Sequence, residues 1–180
     1  MEKKFTLASK TLSAFREQAN RENLSAKHQE KIETILKDIV NRESIHQLIN
    51  LIEAGEEVEQ IFHCFHLFGD LAITPLLEIL VREDDMARRK TICSILADIG
   101  KNDLDALGSK ISDKRWYLVR NIVNILGRIR NSETIKYLRE TAKHPDYRVR
   151  SETVQALGAI KNQEAIELLI YLLNDPAIHP

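Results

Sequence analysis

Apolar residues recur along this chain at spacings of three and four, the stripe of a helix that buries one face. Ile32, Ile35, Leu36 and Ile39 form one such seam, and Ile45, Leu48, Ile49 and Ile52 the next. Ser25 is placed to cap the first helix, and Gly55 to end the second. The pairing then repeats. Cys64, Leu67, Phe68 and Leu71 precede Ile73, Leu76, Leu77 and Leu80; Ile92, Ile95, Leu96 and Ile99 precede Leu104, Leu107 and Ile111. Ile122, Ile125, Leu126 and Ile129 precede Ile135, Leu138 and Thr141; Thr153, Ala156, Leu157 and Ile160 precede Ile166, Leu169, Leu172 and Leu173.

One anchor of each leading helix falls at Leu36, Phe68, Leu96, Leu126 and Leu157, in steps of 32, 28, 30 and 31 residues. Such a period marks a repeat array. No helix pair can cover its apolar stripe alone, so neighbours stack and share a continuous core. No run of β-branched residues alternates with period two, and no Asn-Gly or Asp-Gly hairpin turn occurs, so no strand is predicted. Gly69, Ala97, Gly127 and Gly158 follow the anchors at one shared place, which points to close helix packing there. Residues 1–22 have a looser pattern in Leu7, Ala8, Leu12 and Phe15. They predict a capping or partly ordered helix over 1–23, ahead of a repeat domain over 24–180. The approximate repeats are 24–55, 56–84, 85–112, 113–143 and 144–174.

The helix pairs, the dipeptides Leu126-Gly127 and Leu157-Gly158, and the openings Leu118-Val119-Arg120 and Arg148-Val149-Arg150 resemble HEAT repeats. They are most similar to the short bacterial kind that also occurs in phycobilisome lyases. The resemblance is clearest over 113–174. There Arg115-Trp116-Tyr117 with Arg120-Asn121, and His144-Pro145 with Arg148-Val149-Arg150, look like a motif pair of HEAT modules in larger bacterial proteins. It implies an all-α fold, a right-handed α-α superhelix or α-solenoid of about five stacked pairs, whose second helices line a concave binding face. Asp175-Pro176 falls where His144-Pro145 stands one repeat earlier, so a piece of a longer solenoid is slightly favoured over a natural end.

Charge changes the picture locally. The net charge is −1, yet residues 51–100 hold four Lys/Arg against ten Asp/Glu, and residues 101–150 hold twelve against six. Such polarity can steer partners, although solvated faces of mixed sign are the plainer reading. No window approaches about 18 uninterrupted apolar residues, and the start lacks the apolar run of a secretory signal. A cytoplasmic protein without a membrane segment is expected.

Candidate chemistry is sparse. Arg120, Arg148 and Arg150 lie near helix starts, close to Asp113 and Asp146. They read as an arginine row for acidic groups or, preferably, as an Asp–Arg ladder between repeats. Trp116, the only tryptophan, lies with Tyr117 beside Arg115 and Arg120. This is a stacking platform or, preferably, packing over the preceding repeat's loop. His63 and His66 share a helix face but lack two further ligands, so no metal site is expected. Cys64 and Cys93 occupy seam positions and read as free buried thiols. No Gly-rich phosphate loop, His-Glu iron-ligand dipeptide or nucleophile with its base occurs, so no cofactor and no catalytic residue is assigned.

Lys136, Arg139 and Lys143 share one side of a second helix. With Arg115, Trp116, Tyr117 and Arg120 they are the candidate partner-binding residues. The reading is a non-catalytic protein–protein interaction scaffold that holds an acidic or extended partner. The alternatives are a nucleic-acid-binding or DNA-repair protein, which the pI near 6.6 argues against, and a bilin-lyase-like enzyme.

Overall fold

A computed structural model describes residues 10–14, 17–18 and 25–178. Leu7, Ala8 and Phe15 lie outside the described residues; residues 10–14 are helical and Leu12 is buried. The chain divides into two compact units, Met1–Ile95 and Leu96–Pro180, and the division falls within a helix.

Unit 1 holds α1 (Ala26–Ile39), α2 (Arg42–Glu53), α3 (Val58–Phe68), α4 (Ile73–Leu80) and the first part of α5 (Met86–Ile99). Unit 2 holds the rest of α5, then α6 (Leu104–Gly108), α7 (Trp116–Ile129), α8 (Ile135–Thr141), α9 (Tyr147–Ile160) and α10 (Gln163–Leu172). Short 3-10 turns at Gly69–Ala72, Gly100–Asn102 and Ser132–Thr134 lead into α4, α6 and α8. Among the described residues there is no strand.

Local chemistry sets the helix ends. Asn41, Asp103 and Asn162 accept the backbone N–H groups of Ser44, Ala106 and Ala165 at 3.0, 3.0 and 2.8 Å, which satisfies orphan donors. Gly55 ends α2 as expected. Its φ of +74° suits glycine, and Glu56 N–H reaches Leu51 O while Gly55 N–H reaches Ile52 O. Arg130 and Lys161 close α7 and α9 in the left-handed region, at the same place in both repeats.

The seam on α1 differs from expectation. Leu36 and Val40, four apart on one stripe, are buried, while Ile39 on its flank is 39% exposed. In unit 1, Ile61 and Phe65 join Cys64 and Phe68 in the core of α3. Helix α3 and the segment through α4, Val58–Leu80, have the length and composition of a membrane span. The helix is interrupted at Gly69, however, and Ile61, Phe65, Phe68, Ile73, Leu76 and Leu80 are buried within the unit.

In unit 2 the most extensive packing is α7 on α9. Leu118, Ile122, Ile125 and Leu126 from α7, and Val149 and Leu157 from α9, are wholly buried. Thr153 and Thr141 are buried too, and their hydroxyls satisfy one another: Thr153 donates to Thr141 at 2.9 Å and Thr141 donates to Leu138 O at 3.2 Å.

The shared small-residue position has three explanations rather than one. Gly127 is a packing glycine, because a Cβ there would meet Cα and Cβ of Ala156 at 2.7 Å. Gly69 is conformational, with φ +57° where α3 ends. Gly158 faces open space, which corrects its reading as a packing position. Two further packing glycines were not singled out by the repeat: Gly100 against Leu107 and Gly108 against the Tyr137 ring.

Candidate partner-binding face of the second unit

The loop before α9 is tied down by Arg150. Its guanidinium donates to the carbonyls of His144 at 2.7 Å and Pro145 at 2.9 Å, and to the Asp175 carboxylate. Asp175 lies in the turn after α10, so one side chain spans two connections. Between those connections opens a cleft of about 540 Å³. Lys143, His144 and Pro145 line one side; Tyr171, Asp175 and Pro176 line the other. Lys143 is exposed and, among the described residues, has no carboxylate partner.

Lys136 and Arg139 stand on α8 ahead of this cleft. Lys136 donates to Asp105 on α6 at 2.9 Å and lies 4.7 Å from the Tyr137 ring centre. The Tyr137 hydroxyl, then Asp105, raise Lys136 above the ordinary lysine range. Tyr137 also donates to Asp105, and these bonds hold that carboxyl below its usual range. Arg139 pairs with Glu164 on α10. Neighbouring second helices are thus stitched by exposed ion pairs.

The helix starts carry a second set. Arg115 forks onto Asp113 at 2.8 and 2.7 Å, and Arg148 onto Asp146 at 3.0 and 2.6 Å. The arginine bonds hold both carboxyls at about 2. These pairs join residues two apart, so they brace their own loops. This corrects the expected ladder for Arg148; of that arginine row, Arg120 pairs with Glu152 in the next repeat and Arg150 with Asp175 beyond α10. Arg120 reaches Glu152 at 3.0 Å, and Asn124 reaches the other carboxylate oxygen at 2.8 Å.

The Arg148 guanidinium carbon lies 3.4 Å from the Trp116 ring centre, so one indole face is covered from the following repeat. Tyr117 meets the indole edge-on at 6.1 Å and is itself exposed. The seven candidate residues therefore fall into two groups. Lys136, Arg139 and Lys143 lead to the cleft; Arg115, Trp116, Tyr117 and Arg120 belong to the α7 start, where Arg148 and Glu152 engage them.

Asp175 and Tyr171 were missed as site residues, and Arg150, read as part of an arginine row or ladder, was not placed at a cleft. Their only signal was Asp175-Pro176 standing one repeat after His144-Pro145. Glu152 was missed too, although a carboxylate beside Thr153 in an apolar seam was visible. Cys64 and Cys93 are both buried. Among the described residues no group of three or more His, Cys, Asp and Glu side chains could hold a metal ion.

Residues 104–178 match the family described as HEAT repeats. The match covers most of unit 2, and the fold of that segment is the all-α helical-repeat class called α-solenoid. HEAT repeats typically serve as protein-interaction scaffolds and not as enzymes. No curated protein matches the chain in sequence. Among solved structures, a designed armadillo repeat protein in complex with the peptide (KR)4 is similar at 17% identity, with 92% of this chain and 89% of that chain covered and a TM-score of 0.37.

Proposed function

We propose that unit 2 is a protein-interaction scaffold that holds an acidic, extended segment of another protein along α8 and into the cleft beyond it. The observation that carries this reading is Lys143, an exposed cation with no carboxylate partner among the described residues, at the rim of the cleft across from Tyr171. Lys136 and Arg139 precede it at helical spacing. Their pairs with Asp105 and Glu164 are exposed on both sides. Such pairs contribute only ~0–1 kcal/mol, so a partner carboxylate can replace them at little cost. Nucleic acid is the less favoured ligand. Seven of the twelve cations of 101–150 pair with carboxylates, three of which, Glu152, Glu164 and Asp175, lie beyond that segment.

Titration calorimetry with a glutamate-rich peptide tests the reading. Saturable binding that weakens with salt and is lost in Lys143→Glu supports it. Equal binding by wild type and Lys143→Glu removes the cleft from the account.

A further inference from the structure

Unit 2 holds seven arginines. Five of them, Arg115, Arg120, Arg139, Arg148 and Arg150, pair with a carboxylate. The other two, Arg128 and Arg130, are exposed and have no carboxylate partner among the described residues, and both border one groove. Residues two apart on a helix do not share a face. Arg130 stands outside that rule, because it closes α7 in the left-handed region, with φ +55°.

The groove lies between α7 and α9 and has a volume of about 180 Å³. Gly127 and Ala156 are where the two helices approach closely, and Ala159 adds little bulk beside them. Glu152 also lines the groove, but its charge is already met, since Arg120 and Asn124 donate to its two oxygens. The unspent charge of the groove is therefore that of two guanidinium groups.

This pair does not belong to the repeat scaffold. Cations are favoured at a helix C-terminus, which is the plain use for them. Yet two positions after the anchor of each leading helix, the other repeats carry Asp38, Asp70, Asp98 and Ala159. Four positions after it they carry Val40, Ala72, Gly100 and Lys161. Three leading helices thus hold a carboxylate where α7 has Arg128, so ending the helix does not call for arginine.

We propose that the groove between α7 and α9 binds a small free oxyanion of the phosphate or phosphate-monoester class, held by Arg128 and Arg130. A guanidinium offers paired N–H donors that match a phosphoryl group, and two of them match its double charge. A polyanion needs a row of such places along the surface. The equivalent positions in the repeats on either side, Asp98 and Ala159, supply none. The groove shares no lining residue with the cleft at Lys143, so it is a second site and not part of the partner-binding face.

The probe is inorganic phosphate, added at constant ionic strength to the isotope-labelled full chain and followed by amide NMR, with chloride as the control anion. Saturable shifts are expected over 124–130 and 155–159. Arg128→Gln and Arg130→Gln are each expected to weaken phosphate binding by about tenfold or more. Both side chains are exposed, so these variants keep the fold, which circular dichroism checks. Lys114→Gln removes an exposed cation elsewhere in unit 2 and leaves the affinity unchanged. No saturation, the same shifts with chloride, or equal affinity in wild type and both arginine variants overturns the proposal. So does a phosphoserine peptide that binds about tenfold or more tightly than phosphate, because the anion is then carried by a modified partner.

Discussion

The Arg148 guanidinium lies 3.4 Å from the ring centre of Trp116, 32 positions earlier in the chain, while its N–H groups fork onto Asp146. One planar cation is thereby held on an aromatic face and an acid together, the arrangement for which arginine is suited and lysine is not. It joins the starts of α7 and α9. Arg148→Ala is expected to destabilise the chain by about 0.5–1 kcal/mol and to change Trp116 emission, the sole tryptophan signal. Arg148→Lys recovers little of either. Full recovery by lysine in urea melts would show that charge alone matters there.

The two equivalent glycines make a matched pair. Gly127→Ala places a methyl against the Ala156 backbone and is expected to cost about 1–3 kcal/mol. Gly158→Ala meets nothing and improves helix propensity, so a gain of up to ~1 kcal/mol is expected. Thermal melts of both variants decide it, and equal effects would contradict the packing difference.

Glu152 is 6% exposed, and its two oxygens are taken by Arg120 and Asn124. Removing a partner leaves a buried carboxylate under-satisfied. Asn124→Ala is therefore expected to cost about 1–3 kcal/mol. In a Glu152→Gln background the same change costs less, because a neutral amide is easier to bury unpaired. A double-mutant cycle that shows simple additivity would deny the coupling.

Acid acts through Asp113 and Asp146. Arginine hydrogen bonds lower both carboxyls from 3.8 to about 2 in the folded chain. A depressed folded value means stability that is fully present above the unfolded value and lost as pH falls through the folded one. The loss contributed by these two groups is expected between about pH 4 and pH 2. Asp113→Asn with Asp146→Asn should flatten that part of the stability profile, and an unchanged slope would locate the acid sensitivity elsewhere.

The apolar scaffold was legible because the seam repeats. Ile122, Ile125 and Leu126 were assigned to the α7 core from spacing alone, and they are wholly buried. Residue pairing was less legible, because partners 25 to 32 positions apart obey no local rule. Arg120–Glu152, Arg139–Glu164 and Arg150–Asp175 span such distances. They also explain why residues 101–150 look strongly basic in a window count: part of their counter-charge comes from the next repeat. The small-residue position shows a second limit. Gly69, Gly127 and Gly158 align in the repeat but serve different ends, since only contacts and φ separate a turn, a close approach and an open face. Among the binding candidates, Lys143 was visible in sequence as a helical-spacing cation. The cleft it borders was not, because Arg150 builds it from two distant connections.

The central claim is that partners meet unit 2 along α8 and the cleft. A photo-reactive side chain placed at position 143, and separately at Arg128 on the exposed side of α7, tests it most directly in cells that make the protein. Adducts with another protein from position 143, absent from position 128 and lost when Lys136 and Arg139 are changed to Glu, are the predicted result. Adducts from position 128 alone, or adducts from 143 that survive the double charge reversal, would contradict the account.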